Sequence, residues 1–207
     1  MTDRRARGQK SLSRKTAVRS EKRTYLIFAE GEVSEVEYLN ALKNEPTVRE
    51  ANAVELEISP DRGVPLTLVR LAVAAKNNKN EIDQFWCVFD VEWPQHHPNL
   101  REAIDLARAN DIQLAISNPC FEIWLILHHR EQGAFLDNTQ ARQARKTLDG
   151  SADKHIDTSI YLSSRHVASS RAEKLDARHM REATRFPEDN PSSSMWRLVN
   201  SIDPRVD

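Results

Sequence analysis

Three carboxylates stand directly after two apolar runs of the sequence, where they could bind a divalent cation. Glu30 follows residues 24–29, while Asp90 and, two residues later, Glu92 follow residues 85–89. Such runs are typical of strands buried on both faces, and ligands of open α/β sheets bind beyond the carboxyl ends of the strands. If these strands are neighbours, their ends lie ~5 Å apart, and the carboxylates repel one another unless a cation or shared protons relieve the charge. Mg²⁺ would suit such a site and could activate water for attack on a phosphodiester. The alternative is that each carboxylate is only a turn former or helix cap.

Two further carboxylates are candidates for the same site. Glu35 lies in the first turn of a predicted helix, where it could be a ligand or base, or simply a favourable charge at the helix N-terminus. Glu122 interrupts the apolar stretch 121–125, beside the end of the fourth predicted strand. It either compensates a helix dipole or adds a fourth acidic group to the cleft, and we favour the cleft.

The elements that must position these residues alternate between short apolar runs and helical periodicity. This alternation predicts a mostly parallel sheet flanked by helices over residues 24–136. Asn118 and Pro119 are predicted as the N-cap and first-turn proline of the last of these helices. Residues 137–207 contain no convincing strand and predict a helical extension packed on the core. The predicted strands are 24–29, 54–58, 85–89 and 112–116, and the predicted helices are 35–43, 65–76, 99–109, 119–129, 139–148, 159–185 and 193–201.

Length and composition favour one soluble domain with appendages. The chain has 207 residues, of which 39% are hydrophobic and 29% charged, and its net charge is −1. No apolar run approaches the ~20 residues of a membrane helix, and no apolar stretch follows the basic N-terminus as in a secretory signal. Cys87 and Cys120 lie in apolar segments and are predicted to be buried, reduced thiols. We therefore expect a cytoplasmic protein without a membrane partner or a disulfide framework.

Basic residues cluster in two places that could contact nucleic acid. Residues 1–23 hold nine Lys and Arg against two acidic residues, which predicts a flexible arm that either neutralises phosphates or only aids solubility. The predicted helix 159–185 carries a basic stripe that could follow a phosphate backbone or be an ordinary solvated face, since acidic residues lie among its charges. The stripe consists of Arg171, Lys174, Arg178, Arg181 and Arg185.

Histidines and one lysine are weaker candidates. His96 and His97 could be zinc ligands together with Asp90 and Glu92, although adjacent histidines in a polar loop are more often solvated, and we favour the solvated reading. Lys154 could stabilise charge on a phosphate if the fold brings it to the cleft.

Four blocks of the sequence resemble the RloB-like proteins, which are encoded near bacterial restriction–modification and phage-defence loci. The first block carries Glu30-Gly31 and Glu35, and the second carries Asp90-x-Glu92. The third and most distinctive block is Asn-Pro-Cys-Phe-Glu-x-Trp at residues 118–124. The fourth block is Asn-Pro-Ser at residues 190–192, followed by Trp-Arg-Leu-Val at residues 196–199.

The resemblance implies a Toprim-like fold that binds Mg²⁺ or Mn²⁺ for nucleic-acid strand chemistry. Carried over to this sequence, Glu30, Asp90 and Glu92 are the metal ligands, with Glu92 standing where such motifs more commonly have aspartate. Asn118 and His128, from the third block, could support the site.

The activity implied is that of a metal-dependent nuclease of bacterial defence, which hydrolyses phosphodiester bonds of DNA or RNA. Related proteins often work with an ATPase partner. This chain has no G-x-x-x-x-G-K-[ST] loop, so nucleotide-driven activation would come from such a partner. The alternatives are a non-catalytic nucleic-acid-binding or assembly subunit of a defence complex, and a phosphotransfer or nucleotide-processing enzyme.

Overall fold

A five-stranded sheet forms the centre of the part of the chain that the structure describes. The structure is a computed structural model that describes residues 22–31, 33–58, 64–151 and 154–204. The strand order is β2-β1-β3-β4-β5, in which the first four strands are parallel and β5 is antiparallel to β4. The predicted α/β class with a mostly parallel sheet is therefore confirmed. The strands are β1 (Arg23–Ala29), β2 (Asn52–Ile58), β3 (Gln84–Asp90), β4 (Gln113–Asn118) and β5 (Ser192–Ser193).

Helices cover both faces of this sheet, because the side chains of a buried strand alternate between two apolar cores. On β1, Tyr25 and Ile27 belong to one core, while Leu26 and Phe28 belong to the other. The first core packs against α1, α5, α8 and α9, and the second against α3 and α4. The helices are α1 (Ser34–Asn44), α2 (Pro46–Ala51), α3 (Pro65–Asn78), α4 (Leu100–Ala109), α5 (Glu122–His129), α6 (Asn138–Asp149), α7 (Thr158–Leu162), α8 (Arg165–Arg181) and α9 (Met195–Ile202).

The C-terminal segment is more than the predicted helical extension. Its two-residue strand β5 pairs with β4, and its last helix is tied to the first half of the chain. The Tyr25 hydroxyl donates to the Ser201 carbonyl at 2.9 Å, and the Asn52 side-chain amide donates to the Ile202 carbonyl at 2.6 Å. The expectation that residues 137–207 contain no strand is wrong, because Ser192 and Ser193 carry no apolar pattern that would mark a strand.

The helices also differ from the sequence predictions in three places. Asn118 does not cap a helix: it ends β4, paired with Ser192, and α5 begins only at Glu122. The predicted helix 159–185 is two helices, since α7 ends at Leu162 and α8 runs only from Arg165 to Arg181. The short helix α2 was not predicted, because six residues are too few to show a period.

The predicted basic arm falls almost entirely on residues 1–21, which lie outside the described residues. Of its last two residues, Arg23 opens β1 rather than preceding it. Among the helices that the structure describes, none is both long enough and apolar enough to cross a membrane.

Candidate functional site

Glu30 and Asp90 lie side by side because β1 and β3 are neighbours in the sheet. The strands pair in parallel register up to Ala29 and Val88, and the Glu30 amide continues the ladder by donating to the Val88 carbonyl at 3.0 Å. The Glu30 carboxylate reaches back across the pair, and its Oε2 accepts the Asp90 amide at 3.3 Å. The strand adjacency on which the sequence argument depended is present.

Gly31 and Glu35 form a tight contact at the start of α1. The Gly31 amide donates to Glu35 Oε2 at 2.6 Å, and this places the Glu35 carboxylate against the loop that follows β1. A Cβ at position 31 would overlap the Glu35 carboxylate, so only glycine permits this arrangement. Glu35 is 5% exposed, which makes it a buried carboxyl at the edge of the sheet.

The other two acidic side chains come from the ends of β3 and β4. Glu92 follows Asp90 with a positive φ of 66°, and its amide donates to the Pro119 carbonyl at 2.8 Å, which fixes the turn after β3 to the segment after β4. Glu122 opens α5 directly after that segment and is 8% exposed. One cleft of about 520 Å³ is lined by all five predicted carboxylates: Glu30, Glu35, Asp90, Glu92 and Glu122. We call it the acidic cleft.

Cationic side chains also line the acidic cleft. Arg142 and Lys146 stand one turn apart on α6, and Lys154 follows that helix in the chain. The Arg142 guanidinium lies 4.0 Å from Glu92 Oε1 and 3.9 Å from Glu122 Oε1, with its side chain 52% exposed. A ligand in this cleft would therefore meet both carboxylates and positive charges, which suits a phosphate bridged by a cation.

His97 is a further member of the site. Its Nε2 lies 2.9 Å from Glu30 Oε1, and the hydrogen bond to Glu30 raises the pKa of His97 above its ordinary value. The sequence favoured a solvated loop histidine at position 97, and this expectation is wrong. The turn after Glu92 folds the His97 side chain back onto the end of β1, where it contacts Glu30. A role in zinc binding stays untested.

Burial and mutual repulsion raise the pKa values of three carboxyl groups of the cleft. Burial raises the pKa of Glu35 to about 8, with the charges of Glu30, Glu122 and Glu92 adding to the effect and the Gly31 amide opposing it. Burial and then the neighbouring carboxylates raise the pKa of Asp90 well above its ordinary value. Burial also raises the pKa of Glu92, while Arg142 and His97 oppose the rise. Burial is thus the main cause of all three pKa rises, and repulsion from neighbouring carboxylates adds to it.

Within the described residues, the five carboxylates line one cleft but are not grouped as a metal site. Among residues 22–31, 33–58, 64–151 and 154–204, no group of three or more His, Cys, Asp or Glu side chains is arranged to hold a metal. Glu30 contacts His97 Nε2 and the Asp90 amide, and Glu92 Oε1 lies 4.0 Å from the Arg142 guanidinium.

Two of the three predicted supporting residues lie outside the acidic cleft. Asn118 is buried, and its side-chain amide donates to the Pro187 carbonyl at 2.7 Å and to Asp189 Oδ1 at 2.9 Å, so it anchors the 187–191 loop. His128 is buried among aromatic rings, where burial lowers its pKa to about 3. A neutral His128 donates from Nδ1 to the Trp124 carbonyl and accepts at Nε2 from the Tyr38 hydroxyl. Lys154 alone of the three lines the cleft.

The predicted basic stripe does not form one free helical face. The Arg171 guanidinium donates to the Leu127 carbonyl at 2.6 Å, and Arg178 donates to the Gly133 carbonyl at 3.0 Å. Lys174 lies 3.3 Å from Glu131. Arg181 ends α8 and is exposed, whereas Arg185 lies beyond the helix, so the five residues cannot share its surface. Their role in nucleic-acid binding stays a prediction.

The cations of α6 could not be identified as site residues from the sequence. Arg142 and Lys146 were predicted to lie on a helix, but nothing distinguished them from the charges of a solvated surface. Their i, i+4 spacing places both on one face and is the only signal that could have drawn attention to them. Cys87 and Cys120 are free and buried, as predicted.

Comparisons with known proteins give one match. The family model described as RloB-like protein matches residues 25–202, which includes every residue of the acidic cleft. No curated protein and no solved structure matches the chain.

Proposed function

The chain belongs to the RloB-like protein family, and from this membership and the acidic cleft we propose that it is a metal-dependent nuclease of bacterial defence. The substrate would be DNA or RNA, and the reaction would be hydrolysis of a phosphodiester bond. One observation carries the proposal: five carboxylates from separate segments of the chain and four cationic side chains of α6 and the segment after it line one cleft.

A divalent ion fits the chemistry of this donor set. Glu30, Asp90 and Glu92 would bind Mg²⁺ or Mn²⁺ through carboxylate oxygens, the ligands that hard cations prefer. Burial raises the pKa of Asp90 and Glu92, the neighbouring carboxylates add to the rise at Asp90, and a bound cation would favour the ionised form of both groups. When bound, the ion would polarise the phosphodiester and favour deprotonation of water. Binding would require Glu30 to leave His97 and Glu92 to leave Arg142.

The remaining side chains of the cleft would hold the substrate. Arg142, Lys146 and Lys154 are placed to bind phosphate oxygens and to stabilise the charge that develops on them. Glu35 and Glu122 would supply further carboxylate function toward the attacking water or the leaving oxygen.

We also propose that the core is Toprim-like. The support is the placement of one glutamate after β1 and an acid-x-acid pair after β3, on strands that are neighbours in a parallel sheet. An ATPase partner, which the family resemblance suggests, stays a prediction.

The test is cleavage of a mixed pool of single-stranded DNA, duplex DNA and RNA with Mg²⁺ or Mn²⁺. We expect the wild-type protein to cut at least one substrate, and Asp90→Asn to reduce the rate by at least 100-fold, because it removes a ligand charge from the centre of the cleft. Asp111→Asn is the matched control, since Asp111 is exposed, is not among the residues that line the acidic cleft and contacts Lys76 and Gln113. Equal cutting by wild type and Asp90→Asn would refute the proposed site.

A second candidate function is supported by the contacts of Glu30 and Glu92. Because His97 and Arg142 already lie against these carboxylates, the same cleft could belong to a nucleic-acid-binding or assembly subunit without turnover. That function predicts binding that weakens steeply with salt and no cleavage with either metal. Isothermal titration of Mg²⁺ and Mn²⁺ into the wild type and Asp90→Asn separates the two, since only the nuclease requires an Asp90-dependent metal site.

A further inference from the structure

A second cleft, separate in its lining from the acidic cleft, lies where the sheet extends past α4. The two helices on this face, α3 and α4, leave the outer part of β4 uncovered, so Leu114 and Ile116 remain partly exposed. Together with Phe186 they form the apolar floor of a groove of about 650 Å³. Its walls are α4 on one side and the turn into α9 on the other.

Four arginines surround this apolar floor, and we call the cleft the arginine groove. Arg101 and Arg108 stand on α4, two turns apart and therefore about 10 Å along one face. Arg185 and Arg197 approach from the opposite wall. Asp105 is the only acidic residue in the lining, and it lies 3.6 Å from Arg108.

Two of these arginines form no side-chain ion pair or hydrogen bond with the described part of the chain. Arg197 lies 3.2 Å from Asp176 and stacks over Trp196, so its charge is partly used. Arg101 and Arg185 are exposed and make no side-chain ion pair or hydrogen bond within the described residues. Positive charge is therefore presented above an apolar surface, and the fitting ligand is an anion with a flat apolar part.

The arginine groove meets the acidic cleft at one side chain. His97 lines the groove, while its Nε2 lies 2.9 Å from Glu30 in the acidic cleft. Beside it, His96 also lines the groove, and its ring contacts Trp93 at 5.2 Å between centroids. Trp93 in turn contacts Phe135 at 5.3 Å, and Phe135 is 51% exposed. Aromatic faces are thus available next to both clefts.

We propose that the arginine groove and the adjoining aromatic cluster bind single-stranded nucleic acid and lead it to the acidic cleft. Arginines would bind successive phosphates, while bases would contact the apolar floor and stack on Phe135 and Trp93. A duplex keeps its bases stacked on one another, so it would leave the floor and the rings without partners. This inference names the substrate class of the proposed nuclease and so rests on that proposal.

The charge of the groove argues against the chain's own N-terminal segment as the occupant. Residues 1–23 hold nine Lys and Arg against two acidic residues, and this segment would be repelled by four arginines. A second copy of the chain remains an outcome of the test, because it would make binding of nucleic acid and self-association compete.

The test measures binding by the full chain in EDTA, so that cleavage plays no part. Fluorescence anisotropy would be recorded with a labelled 12-nucleotide DNA strand, the RNA strand of the same sequence and the corresponding DNA duplex, over a range of salt concentrations. The variants are Arg101→Ala/Arg185→Ala and, as the control with equal loss of charge outside the groove, Arg49→Ala/Arg70→Ala. All four positions are exposed, so the fold is expected to survive.

We expect the groove variant to bind the single strands at least tenfold more weakly than the control variant. Its slope of log K against log salt should fall by about 1.4, since each lost phosphate contact on a single strand contributes about 0.7. Phe135→Ala should weaken single-strand binding about tenfold and leave duplex binding unchanged. Tight binding of either the DNA or the RNA strand through the groove supports the inference.

Three results would overturn it: equal affinities of the groove and control variants, duplex binding as tight as single-strand binding, or self-association that only the groove variant loses. The outcome is separable from that of the proposed nuclease. Groove-dependent binding without metal-dependent cleavage would refute the proposed nuclease function and support the binding role of the arginine groove. Asp90-dependent cleavage with unchanged binding by the groove variant would support the nuclease function and refute the binding role of the groove.

Discussion

Replacing Glu35 by glutamine is expected to stabilise the folded protein, and the gain is expected to grow with pH. Burial beside other carboxylates raises the pKa of Glu35 from 4.5 to about 8. The folded chain therefore holds a proton that the unfolded chain releases as the pH rises through 4.5. Stability from this group is complete below pH 4.5 and is lost progressively until the pH passes the folded pKa near 8.

The size of the effect follows from the width of that interval. One pKa unit corresponds to about 1.4 kcal/mol, so the cost approaches about 3 kcal/mol at pH 7 and levels off near 5 kcal/mol above pH 8. Glutamine removes the titration, and its Oε1 can still accept the Gly31 amide that now bonds Glu35. The substitution thus isolates the electrostatic cost from the hydrogen bond.

The assay is urea unfolding in EDTA, followed by tryptophan fluorescence at several pH values from 4.5 to 8.5. We expect Glu35→Gln to match the wild type near pH 4.5 and to exceed it by several kcal/mol at pH 8. Glu50→Gln is the control, since Glu50 is exposed and its replacement should change the unfolding free energy by less than about 0.5 kcal/mol at any pH. A gain that is absent, or that is equal at both ends of the range, would refute the claim that the cleft crowds its carboxylates.

Three further outcomes are expected. Gly31→Ala should leave far-UV circular dichroism unchanged but slow metal-dependent cleavage on the order of 100-fold, because the new Cβ displaces the Glu35 carboxylate by about an ångström; a rate close to wild type would show that this carboxylate is dispensable. Tyr38→Phe should lower the unfolding free energy by about 1–3 kcal/mol in urea titrations, since it leaves buried His128 Nε2 without its donor; an unchanged value would mean that the bond contributes nothing. Mg²⁺ at pH 8 should raise the melting temperature of the wild type but not of Asp90→Asn in differential scanning fluorimetry, because only the wild type can gain stability by binding the ion; an equal rise in both would place the ion elsewhere.

The strand ends of the site could be predicted because burial leaves a clear mark on sequence. The runs before Glu30 and Asp90 are continuous and apolar, so each carboxylate could be assigned to the end of a strand. That β1 and β3 are neighbours could not be derived from either run, since strand order depends on how the connecting helices cross the sheet. The convergence of Glu35 and Glu122 on the cleft follows from that order.

The cationic wall and His97 could not be predicted for a different reason. Arg142 and Lys146 face the cleft only because α6 packs beside α5, and surface charges look alike in sequence whichever way they point. His97 reaches Glu30 through a turn that begins at a residue with positive φ, and Glu92 is not a residue type that marks such a turn. On α8, periodicity predicts which residues share a face but not what that face already contacts, as Arg171 and Arg178 show.

The pairing of β5 with β4 has a consequence for the chain while it is being synthesised. Ser192 follows the end of β4 by more than 70 residues, so at ~5–20 residues per second the ribosome needs roughly 4 to 15 seconds to reach it. Throughout that interval β4 is an unprotected sheet edge, and the apolar face that α9 later covers is open to other nascent chains. Synthesis of residues 192–202, whose Ser201 and Ile202 carbonyls accept hydrogen bonds from Tyr25 and Asn52, therefore closes this exposed edge.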